Sequence, residues 1–286
     1  LTTTREYDPC VFKDDDGEYY LVFGGPSWCY GEGCGYFIAR LNEDMISFDG
    51  EVTRIEMSEE SFGAPNPDKR VKGKKYKDVY VEGPWLTKRN GKYYMLYAAG
   101  GIPEHIAYSM ADSPLGPWKY MGNIMPLQDT GSFTNHCGVI DFKGNSYFFY
   151  HTGKLPGGGG FARSMAVEQF NYNPDGTFPI INATKEGVKP VGTLNPFQRV
   201  EAETIAWSEG LESEPNPKGG VYISDIHNGE YIKVREVDFG NKQIRSFRAS
   251  VASALRGGSI EVYVDSIGGE PIAKVDVPHT GSWESW

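Results

Sequence analysis

Short apolar and aromatic runs separated by turn signals recur through the N-terminal part of the chain. In the clearest case, Tyr80-Val-Glu-Gly-Pro-Trp85 and Lys92-Tyr-Tyr-Met-Leu-Tyr97 flank the dipeptide Asn90-Gly91. Asn-Gly between two β-prone runs is a strong signal for a tight hairpin turn. The pattern therefore predicts a β-hairpin with Glu82 at or just before the start of its first strand, among apolar neighbours.

The same pattern occurs twice more, headed by Asp8 and by His136 in place of Glu82. The turns of these copies fall at Asp16-Gly17 and Lys143-Gly144, 8 or 9 residues after the head. Hairpin units that repeat at about 40–50 residues or more are typical of β-propeller blades or a related array. Because the innermost strands of a propeller face one channel, the three head residues are predicted to converge on one site.

Two further stretches of this region carry polar or glycine-rich sequence. Residues 56–78 are rich in Lys, Pro and Gly, which predicts a long surface loop. Residues 157–160 are four consecutive glycines, and a strand-like run, 164–170, follows them instead of the helix that a phosphate-binding loop requires. Glycines that let the backbone approach the channel are the better explanation, and they predict that Arg163 lies there.

The composition shifts around residues 187–199, and a different pattern follows. Short runs of alternating polarity, separated by Asn-Gly and Gly-Gly turns, predict a small β-sandwich. We place the boundary between a first domain, 1–196, and a second domain, 197–286. The predicted strands of the second domain are 231–234, 246–251, 259–264 and 273–277.

Bulk composition supports an all-β protein and excludes some partners. Aromatic residues make up 14% of the 286 residues, and there are 36 glycines. A net charge of −10 argues against nucleic acid or an anionic membrane as the partner. A neutral polysaccharide meets no such objection. No apolar run approaches the roughly 18 residues of a membrane span.

The four cysteines and the chain ends add little. Cys29 and Cys34 could close a small disulfide loop, whereas Cys10 and Cys137 are expected to be buried free thiols. No zinc-binding spacing is present. The chain begins at Leu1 and stops at Trp286 within predicted structural units and carries no signal peptide, so both ends are expected to be cut.

The predicted channel combines carboxylates, a histidine and an arginine with a rim of Tyr and Trp, which suits sugar chemistry. Glycoside hydrolysis needs one carboxylic acid to protonate the leaving oxygen and a second carboxylate across the ring. Beside Trp85, Glu82 is expected to have a raised pKa, and repulsion from Asp8 would raise that pKa further. Trp28 and Trp85 are candidate substrate contacts. Spacing alone does not settle these roles, because such acidic dipeptides are common.

Several stretches together resemble glycoside hydrolase family 43, and most closely its β-xylosidase and α-L-arabinofuranosidase branch. The resemblance covers residues 1–190 in order and relative spacing. It implies a five-bladed β-propeller, of which this chain carries the C-terminal blades, and single-displacement, inverting hydrolysis. The stretches that carry it are Asp8-Pro-Cys-Val-Phe with Asp14-Asp-Asp-Gly17, Arg40-Leu-Asn-Glu-Asp-Met45, Glu82-Gly-Pro-Trp with Gly91-Lys-Tyr-Tyr94, His136-Cys-Gly-Val, and Gly157-Gly-Gly-Gly-Phe-Ala-Arg163.

Position by position, the resemblance implies a role for each head residue. Glu82 resembles the general acid, and Asp8 the carboxylate that orients the acid and tunes its pKa. His136 resembles the histidine at the channel centre, which is associated with a bound calcium ion or water cluster. Arg163 resembles an arginine that contacts the sugar or the carboxylates. The family's general base is an aspartate upstream of the Asp8 motif, where this chain has no residues, so the base is expected outside it.

The second domain resembles a carbohydrate-binding module of family 6, a jelly-roll β-sandwich, apparently incomplete. The resemblance implies that Glu201 and Glu203 hold a structural calcium ion, although solvated edge charges are the alternative. It also makes Trp283 and Tyr231 candidates for an aromatic sugar-binding platform, with burial as the alternative for Tyr231. The matching stretches are Val200-Glu-Ala-Glu203, Asn228-Gly-Glu-Tyr231, Val237-Asp-Phe-Gly240 and Thr280-Gly-Ser-Trp283.

These observations predict a secreted glycoside hydrolase that acts on plant polysaccharide. The first expectation is release of α-L-arabinofuranosyl units from arabinoxylan or its oligosaccharides, because the attached module suggests a decorated polymer. A β-xylosidase acting on xylan-derived oligosaccharides is the near alternative. A non-catalytic carbohydrate-binding propeller is the alternative of another class, and the missing base keeps it open.

Overall fold

The chain folds mainly into antiparallel β-sheets, which confirms the all-β prediction. The computed structural model describes residues 7–24, 35–63, 65–71, 74–77 and 80–286. The chain divides into two compact units, Leu1–Lys189 and Pro190–Trp286. The sequence-based boundary at residues 196–197 falls inside the second unit and stays a prediction.

The first unit contains thirteen strands and one short helix among its described residues. In chain order they are β1 (Tyr7–Lys13), β2 (Tyr19–Gly24), β3 (Gly35–Leu41), β4 (Thr53–Glu56), α1 (Glu59–Phe62), β5 (Pro65–Val71), β6 (Lys74–Lys77), β7 (Tyr80–Arg89), β8 (Lys92–Ala99), β9 (His105–Ala111), β10 (Lys119–Met125), β11 (Gly138–Phe142), β12 (Asn145–Thr152) and β13 (Ser164–Phe170).

Three larger sheets and one hairpin organise these strands. Sheet 1 has the order β1-β2-β3-β4, sheet 2 the order β10-β9-β8-β7, and sheet 3 the order β11-β12-β13, while β5 pairs with β6. Consecutive strands pair antiparallel in every sheet. Strand β7 lies beside both β1 and β11, so the first strands of the three sheets are neighbours.

The predicted hairpin turns are confirmed. Arg89 pairs with Lys92 across Asn90-Gly91, and both turn residues have positive φ, 50° and 75°. A two-residue turn of this kind matches the twist of the strands that it joins. Lys143-Gly144 forms the same turn between β11 and β12, with φ of 48° and 81°. Gly17 lies in the turn between β1 and β2 with φ of 95°.

Two apolar clusters fill the spaces on the two sides of sheet 2. Successive side chains of a strand point to opposite faces, and β8 is buried on both. Tyr93, Met95 and Tyr97 join the cluster with residues of sheet 1, whereas Tyr94 and Leu96 join the cluster with residues of sheet 3. Burial of each such side chain stabilises the fold by about 1.5–3 kcal/mol. Sheet 2 is therefore the central layer of this unit.

The predicted surface loop over residues 56–78 is wrong. This stretch contains α1, β5 and β6. Ser58 caps the helix, because its side chain accepts a hydrogen bond from Ser61 N at 3.0 Å. Phe62 is fully buried against sheet 2, where its carbonyl accepts a hydrogen bond from Tyr97. Phe62 thus anchors a segment whose composition is largely polar.

The second unit contains six short strands in two-stranded ladders. Strand β14 (Trp207–Glu209) pairs with β17 (Tyr231–Lys233), β15 (Glu212–Pro215) with β16 (Val221–Ser224), and β18 (Ser259–Val262) with β19 (Ala273–Asp276). Three of the predicted strands correspond to β17, β18 and β19. The fourth, 246–251, is not a strand, because the ladder that a strand requires does not form there.

Candidate active site

Irregular backbone at the starts of β1 and β7 positions two carboxylates. The pairing of β1 with β2 shifts between Tyr7 and Cys10, and Asp8 has φ of 55°. The pairing of β7 with β8 shifts on both sides of Glu82. Such bulges re-aim side chains and are frequent beside active sites. The side chains of Asp8 and Glu82 therefore do not follow the regular in-and-out alternation along β1 and β7. Both lie near the starts of these strands.

Asp8, Glu82 and His136 converge, as the repeated pattern predicted. His136 Nε2 lies 3.3 Å from Glu82 Oε1 and 4.0 Å from Asp8 Oδ2. One atom from each side chain lies within 4.8 Å of the other two. Gly83 N donates a hydrogen bond of 3.2 Å to Asp8 Oδ2, so Asp8 holds the backbone directly after Glu82.

His151 packs against the ring of His136 and holds its backbone. The two rings stack at 5.3 Å between centroids with an interplanar angle of 18°. His136 N donates to His151 Nδ1 at 3.3 Å, and His151 N donates to Asn135 Oδ1 at 3.1 Å. Because Nδ1 accepts a hydrogen bond, His151 is neutral in this arrangement.

Glu104, which the sequence analysis did not select, completes the cluster. Its side chain hydrogen-bonds with the Glu82 carboxyl and accepts a bond of 2.6 Å from Asn135 N. Its own backbone N–H donates to the Phe133 carbonyl at 3.0 Å. Glu104 therefore holds the segment that leads to His136 at two points and contacts Glu82 at a third. The signal available in the sequence was a charged residue directly before the predicted strand that begins at His105.

The expected rise in the pKa of Glu82 is wrong. The hydrogen bond from His136 lowers the pKa of Glu82 and outweighs burial, which acts in the opposite direction. Burial also acts to lower the pKa of His136, but the bond to Glu82 and the charges of Asp8 and Glu104 raise it instead. Both shifts favour a hydrogen bond between a protonated His136 and an ionised Glu82. The pKa of Asp8 is raised, first by burial.

The pKa shifts favour Glu104 as the protonated member of the carboxyl pair. Burial raises the pKa of Glu104 from 4.5 to about 7, and the neighbouring Glu82 adds to the rise. Glu104 is 6% exposed, whereas the Glu82 side chain is 32% exposed, so the charge of the pair is favoured on Glu82. Burial and the charge of His136 lower the pKa of His151 to about 4.

Arg163 lies at the edge of the cluster, as predicted. Its Nη1 donates to Thr134 Oγ1 at 3.4 Å, and its charge lowers the pKa values of Asp8 and Glu82. The glycines before it permit close approach of the backbone within the loop that joins β12 and β13. A Cβ at Gly158 would lie 2.4 Å from the carbonyl oxygen of Gly153 in the same loop. A side chain at that position would disrupt the tight fold of this loop.

Trp85 is packed, whereas other candidates lie outside the described residues. The Trp85 ring is partly buried against the apolar cluster between sheets 2 and 3. A Cβ at Gly138 would lie 3.5 Å from this ring. Its contact with a sugar stays a prediction. Trp28 and the Cys29–Cys34 pair lie outside the described residues. Cys10 is a buried free thiol as expected, and Cys137 is free and partly buried.

The candidates of the second unit lie on its surface. Trp283 is 57% exposed, and Tyr231 is partly buried in β17. Arg199 donates two hydrogen bonds to the Glu201 carboxylate, at 2.7 and 2.9 Å. A cation at Glu201 would compete with this pair. The roles of these side chains stay predictions.

The central cluster is a weak match for calcium. Within the described residues, Asp8, Glu82 and His136 form the one group of three or more side chains spaced to hold a metal ion. Calcium takes about six to eight oxygen ligands. Here one donor is an imidazole nitrogen that already bonds Glu82. We therefore assign no step of a reaction to a metal at this position.

Comparison with known proteins agrees with this geometry. Residues 2–178 match the model of glycosyl hydrolases family 43, and residues 201–286 match that of carbohydrate binding module (family 6). An arabinoxylan arabinofuranohydrolase of Paenibacillus polymyxa is 32% identical over 98% of this chain and 45% of its own length. One of Bacillus subtilis (strain 168) is 34% identical over 98% of this chain and 56% of its own length. The chain thus spans about half the length of these relatives.

A solved structure extends the comparison to three dimensions. It is a family 43 arabinoxylan arabinofuranohydrolase from Bacillus subtilis in complex with cellotetraose. This chain aligns with it over 99% of its own length and 60% of that chain, with 31% identity and a TM-score of 0.72. The family model covers more than half of the present chain, including all the residues of the cluster. The chain belongs to glycosyl hydrolases family 43.

Proposed function

We propose that the protein is an inverting glycoside hydrolase that releases α-L-arabinofuranosyl units from arabinoxylan or its oligosaccharides. The observation that carries the proposal is Glu82, which is held between the proton-bearing groups His136 and Glu104 in a family 43 chain. The names of the two relatives support arabinofuranose as the sugar.

Glu82 is the proton donor in this proposal, and its protonation depends on the substrate. In the free protein the bond from His136 keeps Glu82 ionised. When the leaving oxygen takes the place of His136, burial remains and that bond is lost, so the pKa of Glu82 rises. The proton passes to Glu82 from Glu104 or His136, and from Glu82 to the glycosidic oxygen as the C–O bond breaks.

Asp8 orients Glu82 in this mechanism and is not the general base. Its bond to Gly83 N fixes the backbone of the bulge that carries Glu82. An inverting pair of carboxyl groups lies about 6.5–9.5 Å apart, which leaves room for water. The nearest oxygens of Asp8 and Glu82 lie within 4.8 Å. A carboxylate other than Asp8 therefore activates the water.

Arg163 and His136 are the polar sugar contacts of this proposal. Arg163 is exposed, and its guanidinium group carries five donors, of which one bonds Thr134 Oγ1. A few convergent polar groups in a concave site are what fix the orientation of a bound sugar. Trp28 and Trp85 complete the proposed set of contacts.

We propose a five-bladed β-propeller for the catalytic part and a jelly-roll sandwich for the second unit. In support, the three described sheets are antiparallel meanders, and sheet 2 packs against the other two through both faces of β8. The match to the family 6 module supports the sandwich. A complete experimental structure would test both assignments directly.

The second unit is proposed to hold the polymer, with Trp283 and Tyr231 as its sugar platform. Any calcium is proposed to be structural, at Glu201 and Glu203, where it would displace Arg199. If calcium binds there, calcium should raise the thermal stability of the wild type and should not raise that of Glu203→Gln.

Because a polysaccharide does not enter cells, we propose an extracellular location, which detection of the protein in culture medium would test. Among the described residues, no helix has the length and hydrophobicity of a membrane-spanning helix.

The proposed activity is tested by incubating the full-length protein with arabinoxylan and with xylo-oligosaccharides. Release of arabinose, with an inverted anomeric configuration by NMR, is the expected result. Release of xylose alone would favour the β-xylosidase alternative. Binding of polysaccharide without release of any sugar would favour a non-catalytic propeller, and a retained configuration would contradict the assignment of Asp8.

A further inference from the structure

Two exposed phenylalanines lie on the loops that carry the polar residues of the cluster. Phe133 comes three residues before His136, and Phe161 two residues before Arg163. The rings meet edge to face, with 4.9 Å between centroids and an interplanar angle of 88°. Phe161 is nevertheless 74% exposed and Phe133 38% exposed. The two rings pack against each other, and this packing leaves most of the Phe161 ring open to solvent.

The loops that hold the two rings are tied together by hydrogen bonds. Ser132 Oγ and Thr134 Oγ1 both donate to the Gly160 carbonyl, at 3.1 and 3.0 Å. A Cβ at Gly160 would lie 1.7 Å from the Phe133 ring, so only glycine allows this approach. The position of the pair is therefore built into the loops and does not depend on the two rings alone.

The pair lies close to the catalytic cluster. Three residues of extended chain span at most about 11 Å, so the backbone of Phe133 lies within that distance of His136. The Phe133 carbonyl also accepts a hydrogen bond from the backbone of Glu104, whose side chain contacts Glu82. The two rings therefore lie on the loops that border the catalytic cluster.

We propose that Phe133 and Phe161 form a stacking subsite for a pyranose ring of the polysaccharide main chain that carries the scissile substituent. This proposal rests on the proposed function and specifies where the undecorated part of the substrate lies. A neutral sugar presents an apolar C–H face, which suits an uncharged aromatic ring, and the nearby Lys154 and Asp129 form an ion pair with each other at 2.9 Å. These two charges therefore offset each other, and the exposed Arg163, two residues after Phe161, is itself a proposed sugar contact.

The test compares Phe161→Ala with Phe161→Tyr and Phe142→Ala in the full-length protein. Phe142 is an exposed phenylalanine at the opposite end of β11 from His136, and it serves as the matched control. The substrates are a short arabinoxylo-oligosaccharide and an activated aryl arabinofuranoside that lacks a main chain. Loss of one stacking contact is expected to raise KM for the oligosaccharide about 3- to 10-fold.

In the expected result, Phe161→Ala leaves kcat on the oligosaccharide and turnover of the aryl substrate unchanged. Phe161→Tyr keeps the ring and should restore KM, and Phe142→Ala should have no effect. An unchanged KM, or an equal loss on both substrates, would overturn the subsite. If the wild type releases no sugar, the proposed function fails, and calorimetric affinity for xylo-oligosaccharides then decides. Equal affinity of the wild type and Phe161→Ala would overturn the platform on its own.

Discussion

The two units of the chain place their charged residues in opposite environments. In the first unit, burial raises the pKa of Glu104, whereas the bond to Glu82 and the charges of Asp8 and Glu104 raise the pKa of His136 against the effect of burial. Of residues 190–286, all of which the structure describes, only Ser253 is buried. The ion pairs of the second unit, such as Lys274 with Glu261 at 2.7 Å, lie on the surface. Water screens exposed pairs, so they contribute little to stability.

This difference indicates a division of roles. Proton transfer needs groups whose pKa values are displaced by burial and by one another, and these occur in the cluster around Glu82. Recognition of a polymer needs exposed rings, and the second unit offers one at Trp283, the proposed platform residue. Substitutions that change only a few atoms should therefore have large effects on catalysis when they lie in the first unit. In the second unit such substitutions should have small effects on catalysis.

Gly83→Ala should have the largest effect on stability. The backbone at Gly83 has φ of 63°, and the new Cβ would lie 3.0 Å from Cγ and Nδ1 of His136. We expect a loss of about 1–3 kcal/mol in stability, because the left-handed conformation and the contact both disfavour a side chain. Displacement of His136 and Glu82 should reduce kcat by about 100-fold.

Gly91→Ala is the matched control for this change. Gly91 has φ of 75° but no atom within 4 Å of an added Cβ. It should lose stability through backbone strain alone and keep kcat in the remaining folded protein. Equal kcat losses in the two variants, measured with thermal melts in parallel, would show that strain and not the His136 contact is responsible.

Glu104→Gln should lower kcat/KM by about 10- to 100-fold and change its pH dependence. In the wild type, the pKa of Glu104 is about 7, so Glu104 keeps its proton at lower pH. We therefore expect kcat/KM to fall as the pH rises through about 7. The neutral amide of the variant has no proton to lose, so this limb should disappear. Glu168→Gln, at a buried glutamate bonded to Tyr150 and Thr184, should leave the pH profile unchanged.

The same raised pKa has a consequence for stability. The folded state binds more protons than the unfolded state between pH 4.5 and about 7, so the wild type should lose stability as pH rises through this window. Melting temperatures of the wild type and Glu104→Gln should therefore diverge across it. Parallel curves over this range would contradict the assignment of the proton to Glu104.

Trp283→Ala should weaken binding of polysaccharide about 3- to 10-fold without changing turnover of small substrates. Trp283 is exposed and lies in the unit without the catalytic cluster. Depletion binding to insoluble arabinoxylan would measure the effect, with Trp207→Ala as a control of the same residue type. Unchanged binding would remove Trp283 from the platform.

Glu261→Gln should have the smallest effect. It removes the exposed pair with Lys274, and the melting temperature should change by less than about 2 °C. Turnover should not change. A larger shift in a thermal melt would show that the surface charges of the second unit carry more of its stability than their exposure indicates.

Local sequence signals predicted the parts of the fold that depend on local chemistry. Asn90-Gly91 and Lys143-Gly144 form their turns because turn residues with positive φ are set by the dipeptide itself. The repetition of these hairpins was sufficient to predict that Asp8, Glu82 and His136 meet. The segment 246–251 was mispredicted, because alternation does not show whether a partner strand is present.

The electrostatics of the site could not be predicted, because they depend on contacts distant in sequence. The pKa of Glu82 is lowered and not raised, since His136 lies 3.3 Å away in the folded chain. Glu104 was missed because its burial comes from the segment 133–135, which is remote along the sequence. A single acidic residue before a strand carries no local sign of such a contact.

The most direct test of the account is the leaving-group dependence of Glu82→Gln in the full-length protein. On arabinoxylo-oligosaccharides, whose leaving oxygen needs a proton, kcat should fall by about 100- to 10,000-fold. On an aryl arabinofuranoside with an acidic phenol as leaving group, it should fall by less than about 10-fold. Equal losses on the two substrates would contradict the role of Glu82 as proton donor.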